Sequence, residues 1–378
     1  MRVGLYVHIP FCKQKCYYCD FPSYAGLEHL YKDYVAALVR EIADQGGLLS
    51  ETVVVDSVFI GGGTPTVLPT HLLVDVLESI RTSFRIAPDA EISIEANPGT
   101  IEKTKLQEAY RFGVNRISFG IQSFSDDVLR EIGRIHTAET AIDSVVLAQD
   151  CDFSNINIDL MYGLPNQTLE QLKHSLLAAY QLDVQHLSVY GLKVEEGTCF
   201  AELEVEGALN LPGEDEDEAM YELSIAYNTQ HGFNRYEISN FAKLGYECRH
   251  NLKYWHSQPY LGLGAAAHSF LDGERKANIG SVKEYIERSK SGESLVEIIE
   301  HPSVETAMAE FSFLALRTVQ GISIRDFNER FNTDFFAVYQ QRLARLLQME
   351  AIRSEGEYVR LTPQGMKFGN AVFREFLL

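Results

Sequence analysis

The sequence contains little cysteine and no long apolar run, and both absences narrow the classes of protein to which it can belong. Six cysteines in 378 residues are too few for a disulfide scaffold, and three of them, Cys151, Cys199 and Cys248, are scattered along the chain. No window approaches the roughly 20 apolar residues of a membrane-spanning helix. The opening residues, MRVGLYVHI, are typical of a strand and leave no room for a cleavable leader. We therefore expect a cytoplasmic protein whose thiols stay reduced.

Positive charge is also scarce. The chain has 33 Lys and Arg residues against 53 Asp and Glu residues, and its formal net charge is -20. Nucleic acids and anionic lipids are polyanions, so we expect no nucleic-acid partner and no bulk binding to a membrane surface. The charge suits an enzyme or a carrier that docks on specific partners. A peripheral membrane-docking face, and the choice between monomer and homodimer, stay open.

Short apolar runs alternate with longer amphipathic segments in the first half of the chain. The apolar runs predict six strands, at 3–9, 57–63, 90–98, 115–123, 155–163 and 186–192. Segments such as 30–45 and 72–84 have the apolar spacing of helices that cover a sheet. Six strand–helix units are fewer than the eight of a closed barrel. We expect an α/β fold with an open, partial (β/α)6 barrel over residues 1–230 and the functional loops at the C-terminal ends of its strands.

Two further parts complete the predicted organisation. Residues 231–300 are expected to form a connecting segment. In residues 301–378, two helical patterns, a hairpin with its turn at Glu355-Gly356 and a final helix suggest a winged-helix-like module. Such modules often bind DNA, but residues 303–378 hold nine basic and nine acidic residues and so have no basic footprint. A lid or docking domain is the better interpretation.

Three cysteines, Cys12, Cys16 and Cys19, form a CxxxCxxC motif directly after the first predicted strand. A structural zinc site needs four ligands, and no second pair of cysteines lies nearby. A redox CxxC would use only Cys16 and Cys19 and would leave Cys12 unexplained. A [4Fe-4S] cluster fits best, because three thiolates leave one iron open to a small chelating molecule. The three cysteines are therefore the candidate metal ligands.

This cysteine motif, at the end of the first strand of a βα-repeat domain, resembles the radical S-adenosylmethionine (SAM) superfamily. The resemblance implies that SAM chelates the open iron, and that the reduced cluster cleaves it to methionine and a 5′-deoxyadenosyl radical. It also implies SAM contacts in the glycine motif GGGTPT, at positions near strand ends and beside the cysteines: Tyr6, Tyr18, Gly62, Gly63, Thr64, Glu95, Gln122, Arg134 and Asp159. Carboxylates suit the ribose hydroxyls or the amino group of SAM, and Arg134 suits its carboxylate.

The resemblance covers nearly the whole chain and is to the coproporphyrinogen III oxidase-like (HemN) branch, which includes two functions. The oxygen-independent oxidases have a further cysteine two residues after the third, where this sequence has Phe21. This departure argues against an active oxidase, which remains the alternative function. Residues 248–270 contain HNxxYW, formed by His250, Asn251, Tyr254 and Trp255. That motif resembles the signature of the HemW haem chaperones in the same branch.

The second resemblance implies a chaperone that binds haem and delivers it to apo-proteins such as respiratory haem enzymes. A neutral imidazole is a good ligand for haem iron, so His250 is the candidate iron ligand. Asn251, Tyr254 and Trp255 are candidate contacts to the macrocycle or its propionates. The sequence leaves open whether Cys248 or His268 contributes to this site. It also leaves open whether SAM is cleaved, so no catalytic residue is assigned.

Overall fold

The computed structural model describes residues 1–49 and 52–377 of the chain. Its main element is a twelve-stranded sheet. The strands are β1 (Arg2–Ile9), β2 (Val54–Gly62), β3 (Ile86–Ala96), β4 (Arg116–Gln122), β5 (Ile156–Tyr162), β6 (His186–Gly191), β7 (Asn234–Arg235), β8 (Asn240–Ala242), β9 (Tyr260–Leu263), β10 (His268–Leu271), β11 (Glu274–Asn278) and β12 (Val296–Glu300).

The strands β1 to β6 are parallel neighbours in chain order, and helices connect them. The helices of this part are α1 (Tyr31–Leu48), α2 (Thr70–Ser83), α3 (Lys103–Arg111), α4 (Asp126–Glu131), α5 (Ala138–Gln149), α6 (Leu169–Gln181), α7 (Cys199–Val205) and α8 (Glu214–Gln230). The six predicted strands overlap these six, and the predicted partial barrel of α/β type is confirmed.

Alternation along β1 defines the two faces of the sheet. Val3, Leu5 and Val7 are fully buried in the core that α1 helps to form. Because successive strand residues point to opposite sides, Gly4 and Tyr6 lie on the other side. We call the first side the outer face and the second the inner face. Apolar burial on the outer face holds the helices in place and leaves the polar strand residues for the inner face.

The segment 231–300 adds strands to both edges of the parallel sheet. β7 and β8 extend it beyond β6, and β9 to β12 extend it beyond β1. The sequence predicts only a connection here, because strands of two to five residues give little alternation of polar and apolar side chains. The segment also holds α9 (Arg249–Trp255) and α10 (Val282–Ser291). A Cβ atom at Gly4 would lie 2.9 Å from Lys253 Cδ, so α9 packs on the inner face.

The C-terminal part forms a second core of its own. Its elements are α11 (Val304–Leu316), β13 (Ile322–Ser323), α12 (Ile324–Phe331), α13 (Phe335–Gln348), β14 (Ile352–Glu355), β15 (Tyr358–Leu361), α14 (Pro363–Lys367) and α15 (Gly369–Arg374). β14 and β15 pair as the predicted hairpin, and β13 completes a three-stranded antiparallel sheet. The division at residues 230 and 300 stays a prediction, and the end of the predicted third domain, Leu378, lies outside the described residues.

The C-terminal part contacts the segment that carries HNxxYW. The Arg317 guanidinium lies 4.3 Å from the centre of the Trp255 ring. Arg330 Nη1 donates a hydrogen bond to the Ser257 carbonyl at 3.1 Å, just beyond α9. Val319 N–H donates to the Tyr236 carbonyl at 3.0 Å. The end of α9 is thus held between the sheet and the C-terminal part.

Replacing Arg317 with alanine is expected to loosen this contact. Trp255 is the only tryptophan of the chain, so its fluorescence reports on the contact alone. We expect a red-shifted emission and a loss of about 1 kcal/mol in the free energy of unfolding, because the stacked cation is removed and water reaches the indole. Arg325→Ala, at an exposed arginine of α12, is the control and should leave the emission unchanged. An unchanged emission in Arg317→Ala would contradict the contact.

Candidate functional site

The cysteine loop, residues 10–24, leaves the end of β1 and is held by backbone hydrogen bonds. Cys12 N–H donates to the Tyr24 carbonyl at 3.0 Å, and Tyr24 N–H donates to the Pro10 carbonyl at 2.9 Å. From the end of β2, Thr64 N–H donates to the Phe11 carbonyl at 2.7 Å. These bonds fix the base of the loop at the C-terminal ends of two adjacent strands.

The sulfurs of the loop lie among polar side chains of neighbouring strands. Cys12 Sγ is 3.6 Å from Thr64 Oγ1, and Arg134 Nη1 donates a hydrogen bond to Cys16 Sγ at 3.3 Å. Burial raises the pKa of the Cys12 and Cys19 thiols. Metal binding must therefore release protons from these thiols, and it becomes more favourable as the pH rises.

The glycine motif after β2 packs directly against the cysteine loop. Gly62 has a φ of +112°, and its N–H donates to Glu95 Oε2 at 3.1 Å. A Cβ atom at Gly63 would lie 2.6 Å from the Phe11 carbonyl oxygen. Only glycine allows the two backbones to come so close. The motif therefore holds the cysteine loop in place, in addition to its predicted contact with SAM.

Asn97 is a site residue that the sequence analysis misses. Its Nδ2 donates to Thr64 Oγ1 at 2.8 Å, and its Oδ1 accepts from Arg134 Nη2 at 2.8 Å. Asn97 thereby joins the neighbours of Cys12 and Cys16. The side chains of Thr64, Asn97 and Arg134 line a small cleft that also includes Cys16 and Gly133. The one signal in the sequence is its place two residues after Glu95, just past the end of β3.

Two predicted carboxylates, Glu95 and Asp159, lie on the inner face. Asp159 accepts hydrogen bonds from Ser118 Oγ at 3.2 Å and from Asn157 Nδ2 at 2.8 Å. Burial, with the nearby charge of Asp159, raises the pKa of Glu95 to about 7. Burial also raises the pKa of Asp159. Near neutral pH, Glu95 is thus poised between an acceptor and a donor of hydrogen bonds.

A short polar chain links the inner face to the end of the cysteine loop. The Tyr6 hydroxyl lies 2.8 Å from His8 Nδ1, and His8 Nε2 lies 2.9 Å from the Pro22 carbonyl oxygen. His8 is the second residue that the sequence analysis misses. Burial lowers its pKa, so the neutral ring is favoured. Because the Pro22 carbonyl oxygen can only accept, Nε2 of the neutral ring donates a hydrogen bond to it and Nδ1 accepts one from the Tyr6 hydroxyl.

Tyr18 and Gln122 lie beside the cleft. The Tyr18 ring is 6.5 Å from the ring of Phe200, and burial raises the Tyr18 pKa. Gln122, at the end of β4, has a φ of +72°, which is unusual for a residue other than glycine. Among the described residues, Gln122 Oε1 and Arg134 Nε are buried without a hydrogen-bond partner. Arg134 lines the cleft, so a polar ligand bound there would give Arg134 Nε a partner.

The HNxxYW residues lie at the opposite, N-terminal ends of β1 and β2, and they do not share one open surface. His250 is 0% exposed, with Nδ1 3.0 Å from Ser57 Oγ and Nε2 2.8 Å from the Tyr254 hydroxyl. The ring also stacks on Phe59 at 5.4 Å. Burial lowers the His250 pKa to about 3. In this arrangement neither nitrogen of His250 is available to an iron.

The remaining residues of this motif have separate surroundings. Asn251 is half-buried in the first turn of α9. Trp255 faces the C-terminal part through Arg317, whereas Tyr254 packs edge-on against Tyr260 at 4.6 Å. Cys248, the open candidate, is fully buried, with Sγ 3.6 Å from Glu91 Oε1. The roles of these residues toward haem stay predictions.

Comparison with known proteins reveals similarity over nearly the whole chain. Residues 6–179 match the radical SAM superfamily and residues 303–368 match the HemN C-terminal domain. A haem chaperone HemW from Bacillus subtilis is 39% identical, covering 98% of this chain and 98% of that protein. A haem chaperone HemW from Lactococcus lactis is 34% identical, covering 99% of this chain and 97% of the relative.

The chain belongs to the HemW family of radical SAM proteins.

The fold is also that of a solved structure in the same branch. Coproporphyrinogen III oxidase (HemN) from Escherichia coli superposes with a TM-score of 0.87, covering 99% of this chain and 90% of that one, at 24% sequence identity. This likeness establishes the architecture, including the C-terminal part. No helix in the described parts of this family member has the length and apolar character needed to cross a membrane.

The donor atoms of this family member fit a [4Fe-4S] cluster and SAM. No three His, Cys, Asp or Glu side chains within 1–49 and 52–377 are grouped closely enough to hold a single metal ion. A cubane has a different requirement, because each thiolate binds its own iron. The three thiols on one loop meet that requirement, and the unpartnered atoms of Gln122 and Arg134 suit SAM. His250, with both nitrogens engaged, does not fit haem iron as it is placed.

The raised pKa of Glu95 predicts a pH dependence of stability. The unfolded carboxyl ionises near pH 4.5 and the folded one near pH 7. Between these values the folded state binds more protons, so this contribution to the free energy of unfolding is present below pH 4.5 and is lost as the pH rises through 7. The loss is about 3 kcal/mol, from a shift of about 2.5 pH units at 1.36 kcal/mol each.

Urea unfolding of the cofactor-free protein between pH 4.5 and 7.5 measures this effect. Glu95→Gln is expected to reduce the slope of the profile, because the amide does not titrate, whereas Asp159, whose pKa is also raised, still does. Glu170→Gln, at an exposed glutamate of α6, should leave the wild-type slope in place. Equal slopes for wild type and Glu95→Gln would show that the Glu95 pKa is not raised.

Proposed function

We propose that this chain is a haem chaperone that binds a [4Fe-4S] cluster and SAM, and that delivers haem to acceptor proteins such as respiratory haem enzymes. The observation that carries the proposal is 39% identity, over 98% of both chains, to a haem chaperone HemW. Phe21, 63% exposed on the cysteine loop, stands where the oxidase pattern has a further cysteine. The CxxxCxxC motif would therefore supply three thiolates to the cluster and leave one iron to SAM.

The chain's own residues have distinct tasks in this proposal. Cys12, Cys16 and Cys19 would hold the cluster, which when bound and reduced supplies one electron to the sulfonium of SAM. Arg134, which donates a hydrogen bond to Asn97, would pair with the carboxylate of SAM. Glu95 and Asp159 would accept hydrogen bonds from the ribose hydroxyls or the amino group. Whether SAM is cleaved as part of haem delivery is left to experiment.

The alternative function is oxygen-independent coproporphyrinogen III oxidation, which the fold alone would also permit. The two functions can be separated in one anaerobic preparation with reconstituted cluster and SAM. One sample receives coproporphyrinogen III and is analysed for protoporphyrinogen. A second is loaded with haem and mixed with the cofactor-free haem subunit of a respiratory enzyme, and haem in the acceptor is measured after separation.

We expect haem transfer without protoporphyrinogen formation. Transfer should exceed that of a sample in which free haem replaces the haem-loaded protein. Turnover of coproporphyrinogen III, or acceptor loading no faster than from free haem, would refute the chaperone proposal. Bovine serum albumin loaded with haem is the matched control for passive exchange from a haem-binding protein.

A further inference from the structure

His268 begins β10 on the inner face of the sheet. Directly paired strand residues point to the same side of a sheet. Gly4, which faces α9, pairs with Tyr260 in β9, and Tyr260 pairs with Phe270 in β10. Phe270 and His268 are two residues apart in one strand, so their side chains also share a side. The inner face, which α9 covers near the N-terminal end of β1, therefore also carries Tyr260, Phe270 and His268.

The same pairing continues to the edge of the sheet. His268 pairs with Ala277 in β11, and Ala277 pairs with Ile298 in β12. Ile298 is 47% exposed. The next residue, Ile299, is 57% exposed but pairs with Lys276 and thus points to the outer face. An exposed imidazole and an exposed isoleucine consequently stand in one row on the inner face.

The imidazole of His268 is accessible where that of His250 is not. The His268 side chain is exposed, and it has no hydrogen bond or ion pair with another residue within 1–49 and 52–377. It lies near His8, whose pKa is lowered by burial and, to a smaller extent, by His268. His8 in turn contacts Pro22 of the cysteine loop. The accessible imidazole is therefore close to the cysteine loop as well.

The surroundings of His268 favour haem over a bare metal ion. One imidazole cannot complete the ligand set of a free cation, whereas haem brings four ring nitrogens and needs only an axial ligand. The ionised side chains of the neighbouring row, Arg275 and Glu300, lie 3.7 Å from each other, and Arg275 also pairs with Glu310. Arg275 pairs with Phe270 on this face, and its charge is balanced by Glu300 and Glu310. Phe270 and Ile298 are therefore left as apolar side chains on which a flat macrocycle can pack.

We propose that His268 is an axial ligand of haem on the inner face of β9 to β12, with Phe270 and Ile298 packing on the macrocycle. The inference rests on the haem binding proposed above. Tyr254 of the HNxxYW motif packs against Tyr260 at 4.6 Å. Tyr254 of the motif thus supports Tyr260, which lies on the same face as His268. The enclosed His250 in turn holds Tyr254 by a hydrogen bond to the Tyr254 hydroxyl.

The test is a haem titration of the full chain, without reconstituted cluster, followed by absorption and resonance Raman spectroscopy. His268→Ala is expected to shift the Soret band, remove the iron–imidazole signature and weaken binding at least about tenfold. His268→Cys should replace the imidazole spectrum with that of a thiolate ligand. His174→Ala, at an exposed histidine of α6, should keep the wild-type spectrum and affinity. His250→Ala removes the hydrogen bond to Tyr254 and should still keep the iron–imidazole signature.

A matched pair of isoleucine variants tests the face. Ile298→Ser is expected to weaken haem binding about tenfold with an unchanged ligand spectrum, because apolar contact with the macrocycle is lost. Ile299→Ser makes the same chemical change on the outer face and should leave the affinity unchanged. Equal effects of both variants would overturn the proposed face.

The outcomes separate this inference from the proposed function. If the wild type binds no haem, the chaperone proposal fails and this site fails with it. If the wild type binds haem and His268→Ala keeps its spectrum and affinity, only the site at His268 is overturned. If only His250→Ala loses the imidazole signature, and its near-ultraviolet circular dichroism shows a native fold, the iron ligand is His250. Haem would then displace Tyr254 from His250 Nε2.

Discussion

Replacing Cys16 with serine is expected to abolish assembly of the iron–sulfur cluster. A serine hydroxyl is not ionised near neutral pH and is a poor ligand for iron, so only two thiolates would remain on the loop. The Cys16 sulfur is also the one that accepts a hydrogen bond from Arg134, at 3.3 Å. Iron and sulfide content after anaerobic reconstitution should fall to nearly nothing, and the brown colour should be absent.

The control is Cys199→Ser, which makes the same change beside the same loop. Cys199 is exposed at the start of α7, and the next residue, Phe200, donates its N–H to the Tyr17 carbonyl at 3.0 Å. This variant should retain wild-type iron and sulfide. Wild-type iron in Cys16→Ser, or an equal loss in both variants, would contradict the assignment of the cluster ligands.

Replacing Glu41 with alanine is expected to lower the free energy of unfolding by about 4 kcal/mol. Glu41 is buried on α1 and accepts hydrogen bonds from Gly264 N–H at 2.7 Å, Asn278 Nδ2 at 2.6 Å and the Tyr285 hydroxyl at 2.6 Å. In Glu41→Ala, the Gly264 N–H and the Tyr285 hydroxyl would lose the carboxylate that accepts their hydrogen bonds. Each buried donor left unsatisfied costs about 1–3 kcal/mol.

Urea unfolding at neutral pH measures this loss, with two variants for comparison. Glu41→Gln keeps one acceptor oxygen and should cost less than Glu41→Ala. Asp44→Ala, at an exposed position in the next turn of α1, should change the free energy of unfolding by no more than about 0.5 kcal/mol. If Glu41→Ala resembles Asp44→Ala, the network does not contribute to stability as argued.

The parallel part of the fold could be predicted because its signals are local. Each strand from β1 to β6 is a run of mainly apolar residues, and amphipathic segments such as 30–45 fall on the observed α1. Strands β9 to β12 could not be predicted in the same way. β9 contains only four residues, Tyr260–Leu263, which is too few to show an alternating pattern. It forms a strand because it pairs with β1, more than 200 residues away in the sequence.

The candidate site could be predicted only where one motif supplies several residues. The cysteine loop and the glycine motif are visible because their spacing is local. Asn97 and His8 act through contacts with distant segments, such as Thr64 and Pro22, and a sequence does not display those contacts. The residue types of HNxxYW suggest an open haem site, whereas the packing of α9 on the inner face encloses His250. Burial of that kind is a property of the tertiary structure.

The pairing of β1 with β9 has a consequence for synthesis on the ribosome. β1 is the first strand to be translated, but residues 260–263, which cover one of its edges, follow about 250 residues later. At about 5–20 residues per second, that edge waits on the order of tens of seconds for its partner. A nascent chain that stalls in this interval presents an open strand edge next to its thiols, so pauses in translation before residue 260 should promote aggregation.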